Sequence, residues 1–235
     1  MASELNPYFQ VGLDVFGRRC LVIGGGTEAE EKTGRLLAAG ADVCLVSPAT
    51  TQRLAMWAAE SRLEHRSRPF ASDDLDAEVF VVLNTVNDDP DLTRRVYDLA
   101  LERKALVNSY DNPSFSNFGM VALVAPGHLR LGISTSNASP ALSSRLRRAF
   151  DALFDDDFVD YLDRLARVRA HLKENEPDRA KRFGLLRGLV ADFRLEGQLH
   201  YPDDWRAAAD AVLCCDRQGC GTSDRCAACP ASVSA

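Results

Sequence analysis

Three consecutive glycines carry the strongest chemical signal in the chain. Gly24, Gly25 and Gly26 begin the run Gly-Gly-Gly-Thr-Glu-Ala, a GxGxxA spacing that ends at Ala29. It directly follows the apolar stretch RRCLVI and opens a stretch with helical apolar spacing. A strand, tight turn and helix in that order bare backbone N–H groups at the positive end of a helix dipole, where a diphosphate binds. Gly24 is assigned to the turn, Gly26 to close approach of backbone and diphosphate, and Ala29 to close packing of helix on strand. Gly25 and Thr27 complete the expected cradle for a dinucleotide, NAD or NADP, with a bare structural turn as the competing reading.

Other polar residues fall where strands should end. An Asp or Glu usually closes the second strand of such a site and bonds ribose hydroxyls, but here the strand ends Val46-Ser47-Pro48. Ser47 and Pro48 are therefore the expected cofactor neighbours, and Arg53 is within sequence reach of a 2′-phosphate or is an exposed helix arginine. A later strand, AEVFVVLNTV, delivers Asn84, Thr85 and Asn87 to the same edge. They either flank a nicotinamide and its ribose or cap the helix beginning near Pro90. The next strand, ALVNSYD, delivers Asn108 and Asp111.

These residues need a frame. Up to residue 112, apolar β-branched stretches alternate with amphipathic ones, which predicts an α/β fold with a Rossmann parallel sheet and helices on both faces. Pro113 marks the expected boundary. Residues 113–140 change character: FGMVALVAPGHLRLGIST reads as two strands around Pro126-Gly127, a hairpin rather than a crossover. Residues 141–212 read as a helical domain, and residues 213–235 as a cysteine-rich tail. A formal net charge of -6 argues against a general nucleic-acid binder, and no stretch has the length and apolarity of a membrane span, so a cytoplasmic protein is expected. His65, His128, His171 and His200 stand in no metal-ligand spacing.

Several of these stretches, taken together and in order, resemble the siroheme synthase N-terminal family. They are PYFQVGLDVFGRRCLVIGGGTEAEEKTGRLLAAGADVCLVSP, VVLNTVND, LVNSYDNP and LGISTSNASPALSSRLRR, which cover roughly residues 6 to 150. That family comprises precorrin-2 dehydrogenases, some of which are also sirohydrochlorin ferrochelatases. The resemblance implies a Rossmann domain, a small β dimerisation region and a C-terminal helical domain. It further implies NAD as hydride acceptor, precorrin-2 and sirohydrochlorin as substrate and product, and a homodimer. The family's important aspartate falls on Asp111 and its Ser/Thr-rich loop on Ser134, Thr135 and Ser136, which together with Asn108 are the expected substrate contacts. On this reading Asp111, at the mouth of a partly apolar cleft, takes the proton released when the macrocycle loses a hydride. An Asx-turn cap for Asn112-Pro113 is its other reading. The chain departs from the family's usual residues at Asn117-Phe118, Val121 and Ser136-Asn137. The alternatives are a bifunctional dehydrogenase and ferrochelatase, with Fe2+ as chelatase substrate, or a non-catalytic NAD-sensing protein.

The tail sets a separate question. Five of seven cysteines crowd it, among them Cys215, Cys220, Cys226 and Cys229, the last two as a CxxC pair. In a reducing compartment such thiols suggest a metal or iron–sulfur centre, although the spacing fits no standard zinc or ferredoxin pattern. A disordered or redox-labile tail is the alternative.

Overall fold

The computed structural model describes residues 8–209. The chain divides into two compact units, Met1–Arg167 and Val168–Ala235. The first unit holds a five-stranded parallel sheet built from β1 (Arg19–Ile23), β2 (Asp42–Val46), β3 (Glu64–Arg66), β4 (Val81–Asn84) and β5 (Leu106–Ser109). Its strand order is β3-β2-β1-β4-β5, so the central strand is the one that feeds the glycine turn.

The central strands are apolar on both sides because both faces are covered. Cys20 and Val22 of β1 pack with Val43, Leu45, Leu83 and the helices α1 (Thr27–Ala38) and α2 (Gln52–Ala59). The alternate residues Leu21 and Ile23 pack with Cys44, Val46, Val82 and the helix α3 (Pro90–Arg103) on the other face. Burial pushes the Cys20 and Cys44 thiols up to about 11, with the nearby Asp42 and Glu64 charges adding to it, as suits inert core cysteines. In α1 the buried residues Ala29, Lys32, Thr33 and Leu36 follow helical spacing, and Lys32 is the unexpected member.

An ion-pair chain ties β1, β2 and β3 together. Arg19 bonds Asp42 at 2.9 Å and also Glu64; Arg66 bonds Glu64 and Asp74, each at 2.7 Å; and Arg68 adds a second guanidinium to Asp74. The Asp74 side chain is fully buried. Burial alone would raise its carboxyl, but hydrogen bonds from Arg68, the Ala71 N–H and Arg66 outweigh that and hold it at about 2.

Beyond β5 the chain turns back on the sheet edge. Asn117 accepts from the Val107 N–H at 2.8 Å and donates to the Ala105 carbonyl at 3.1 Å, so one side chain closes an otherwise open edge. The expected hairpin follows, with β6 (Ala122–Val124) antiparallel to β7 (Leu131–Ile133). The helix α4 (Pro140–Asp151) packs on this hairpin. The helix α5 (Asp156–Asn175) carries the chain into the second unit, which includes α6 (Arg179–Gly188), capped by Asp178. The architecture is thus a Rossmann-like sheet, a small antiparallel β region and a C-terminal helical part. No described helix is long and apolar enough to cross a membrane.

Candidate functional site

The glycine turn sits at the C-terminal edge of β1, and each glycine has its own steric reason. Gly24 has φ +105°, a region that side chains rarely adopt, and a Cβ there would lie 2.3 Å from Thr85 Oγ1. A Cβ on Gly25 would lie 1.9 Å from the Ala49 carbonyl, because the β2–α2 connection crosses directly over it and Thr51 N–H bonds the Gly25 carbonyl at 2.9 Å. Gly26 differs: a Cβ there would meet nothing within 4 Å. It is also the N-cap of α1 and offers no side-chain bond to the N–H groups beyond it. The first two glycines let protein pack on protein, whereas the third leaves open space before an uncapped helix start, where a diphosphate fits. Ala29 is fully buried against the core, as close helix-on-strand packing requires.

The neighbouring strands deliver their residues to this edge by register. Ile23 pairs with Asn84, and Asn84 with Ser109. The Thr85 N–H and hydroxyl both donate to the Ile23 carbonyl, at 2.9 and 2.8 Å, and the Tyr110 N–H donates to the Asn84 carbonyl. The glycine turn, Thr85 and the Tyr110–Asp111 turn therefore follow three adjacent strands at one edge, the place where doubly wound sheets bind ligands.

Not every polar side chain expected there is free to meet a ligand. Asn84 is fully buried, donating to Thr93 Oγ1 at 3.2 Å and accepting from the Val86 N–H at 3.1 Å. Asn87 is exposed, and the cap of α3 is Asp89, which accepts from the Leu92 N–H. Ser47 is buried and donates to the Ala49 carbonyl at 2.6 Å, holding the turn that crosses Gly25, while Pro48 is exposed. Arg53 lies 3.8 Å from Glu30 and over the Trp57 ring. Asn108 donates to the Phe118 carbonyl at 3.0 Å and so anchors the returning chain.

Asp111 is exposed. Its backbone occupies the left-handed region, φ +53°, inside a turn closed by the bond from Asn112 N–H to the Ser109 carbonyl. A non-glycine residue in that conformation is costly and persists only where its surroundings hold it, a feature that clusters at working sites.

The Ser/Thr loop between β7 and α4 is largely bonded to itself. Thr135 Oγ1 donates to the Ser139 carbonyl, accepts from the Ser139 N–H and lies 3.1 Å from Ser143 Oγ. Ser134 Oγ accepts from the Ser136 N–H. Ser136 and Asn137 both have positive φ, +51° and +67°, a backbone region that favours glycine. Arg147 is paired with Asp151 along α4 at 2.6 Å. A cavity of about 1390 Å³ in the first unit has both Thr27 and Ser134 on its wall, over an apolar floor that includes Leu36, Trp57 and Leu83. Gly24, Gly25, Gly26 and Asp111 do not line it.

Lys32 lines the same cavity and, with Glu28 and Tyr110, was not among the residues expected from sequence. The Glu28–Lys32 spacing, a Glu four residues before a Lys on one helical stripe, was the available signal. Among the described residues no cluster of three or more His, Cys, Asp or Glu is placed to hold a metal ion. Cys215, Cys220, Cys226 and Cys229 lie outside the described residues.

Comparison with known proteins extends this geometry. A family model for NAD(P)-binding domains matches residues 11–122. The chain is 30% identical over 210 residues to a siroheme synthase of Nitrosococcus oceani, covering 88% of this chain and 44% of that protein. It is 27% identical to a precorrin-2 dehydrogenase of Priestia megaterium, covering 78% of this chain and 90% of that one. Among solved structures, SirC, a precorrin-2 dehydrogenase, superposes with a TM-score of 0.68 at 27% identity, over 79% of this chain and 90% of its own. The chain thus spans less than half the length of the siroheme synthase and most of the length of the dehydrogenases.

Proposed function

From the match of its N-terminal region to the siroheme synthase and precorrin-2 dehydrogenase family, in family model, sequence and structure, we propose that the chain oxidises precorrin-2 to sirohydrochlorin with NAD. One observation carries the reading: an open glycine turn after β1 and an exposed carboxylate after β5, with β4 between them, stand at one sheet edge, in a chain spanning nine tenths of a precorrin-2 dehydrogenase.

The chain's residues divide the work. The N–H groups at the start of α1, with Gly26 and Thr27, bind the diphosphate, aided by the helix dipole. Thr85 holds β4 against the glycine turn and would flank the cofactor there. When bound, NAD supplies the hydride acceptor. Asp111 accepts the proton that the macrocycle releases, from a position held by the turn rather than by bonds to its own carboxylate. Ser134 lines the cavity, and its hydroxyl, which accepts from the Ser136 N–H, keeps its own proton to donate to substrate. The exposed Phe9 and Phe16 near the N-terminus support a homodimer as part of this reading, since large apolar side chains left in water mark contact surfaces. A cytoplasmic location accompanies it.

Incubating the purified protein with precorrin-2 and NAD, with and without Fe2+, tests the proposal. Expected is formation of NADH in step with sirohydrochlorin. An NAD-binding protein that leaves precorrin-2 unchanged would reject the reading in favour of a sensor, and iron insertion without NAD would add the chelatase activity.

A further inference from the structure

A buried lysine joins the two turns that the proposed reaction uses. Lys32 lies on the inner face of α1 with a side chain only 9% exposed. Its ammonium donates to Glu28 Oε2 at 2.8 Å and stands 5.2 Å from the centre of the Tyr110 ring. A buried ammonium needs a counter-charge, which Glu28 supplies from one helical turn away. The Glu28 carboxylate also acts on Tyr110: its negative charge, with some burial, pushes the phenol above its usual range.

The placement of these three residues is the point. Glu28 stands in the first turn of α1, two residues beyond Gly26, and Tyr110 immediately precedes Asp111. The Tyr110 backbone is pinned to β4 through its N–H, so its side chain can reach α1 only from a fixed origin. Asp111 holds a left-handed backbone, yet no hydrogen bond to its carboxylate is present among the described residues. What holds it must act through its neighbours, and the side chain next to it is anchored on the glycine-turn helix.

We propose that Lys32, Glu28 and Tyr110 form a bridge that sets the Asp111 turn at a defined distance from the glycine turn, with Tyr110 as the positioning residue. The role rests on the reading of Asp111 as proton acceptor. It requires Glu28 to hold the Lys32 ammonium in place, and that ammonium to keep the Tyr110 ring turned toward α1. A misplacement of about 1 Å at a reacting group can cost as much as 10²-fold in rate, so a bridge of this kind acts on turnover more than on binding.

The experiment uses the full chain and the variants Tyr110→Leu, Tyr110→Phe, Glu28→Ala, Glu28→Gln and Tyr110→Leu with Glu28→Ala. Steady-state kinetics with precorrin-2 and NAD should show kcat lowered about tenfold in Tyr110→Leu, with KM for NAD changed less than about twofold, while Tyr110→Phe, which keeps the ring beneath the Lys32 ammonium, should retain most of the wild-type rate. Glu28→Gln, which retains an acceptor for Lys32, should recover most of the rate lost in Glu28→Ala, and the double variant should be no slower than either single one. Amide exchange at residues 110–112 should quicken in Tyr110→Leu, a readout that needs no turnover. If the wild-type chain does not oxidise precorrin-2, the parent reading fails while exchange still judges the bridge. Unchanged exchange in Tyr110→Leu, an unchanged kcat, or fully additive losses would overturn it.

Discussion

Two strand-to-helix turns in the first unit differ in composition and behave oppositely. The β1–α1 turn ends in Gly26, which offers α1 no side-chain cap and leaves open space in front of it. The β7–α4 turn is richer in hydroxyls, yet it spends them: Ser139 caps Leu142, and Thr135 bonds the Ser139 N–H and carbonyl. The first turn has unsatisfied donors for an anion to use, and the second has already satisfied its own. A hydroxyl is therefore evidence of ligand binding only when nothing nearer claims it.

The largest effect that would sharpen this contrast is expected beside the open turn. Replacing Asp111 with Ala should lower kcat for precorrin-2 oxidation by about 10²- to 10⁴-fold, the range for loss of a general base, with little change in melting temperature because the side chain is exposed. Near-normal turnover would break the link between that edge and the chemistry.

Within the open turn, two alanines should separate packing from binding. Gly25→Ala puts a methyl into the Ala49 carbonyl and should destabilise the fold by about 3 kcal/mol, read by denaturant melts. Gly26→Ala should melt like wild type but weaken NAD by about tenfold in a fluorescence titration, because its methyl takes diphosphate space. Equal NAD affinity in Gly26→Ala would show that the space is not used.

Acid should act on the sheet beneath the open turn. The Asp74 carboxyl titrates at about 2 in the folded chain, below its ordinary value, so its stabilisation is complete above about pH 4 and is lost as pH falls toward 2. The loss should be about 2 kcal/mol by equilibrium unfolding, and Asp74→Asn should abolish that part of the pH dependence. The smallest effect belongs to the self-satisfied turn. Thr135→Val should cost about 1 kcal/mol by loosening the start of α4, while NAD affinity stays unchanged.

Much of the frame was legible in one dimension. The glycine spacing, the β-branched strands and the helical stripes are local signals, and they correctly imply a parallel sheet with helices on both faces, because periodicity and steric freedom act between near neighbours. The hairpin around Pro126-Gly127 was legible for the same reason. The fate of each polar side chain was not. Asn84 is claimed by Thr93 across a helix, Ser47 by the crossing that closes over Gly25, and Asn117 by the exposed edge of β5. Lys32 is drawn inward by Glu28 and Tyr110, the latter 78 positions away along the chain. Hydrogen bonding and burial are settled by whichever partner folding brings nearest. The sequence alone therefore determined which groups reach the ligand edge, and the tertiary structure decided which of them remain free to act there.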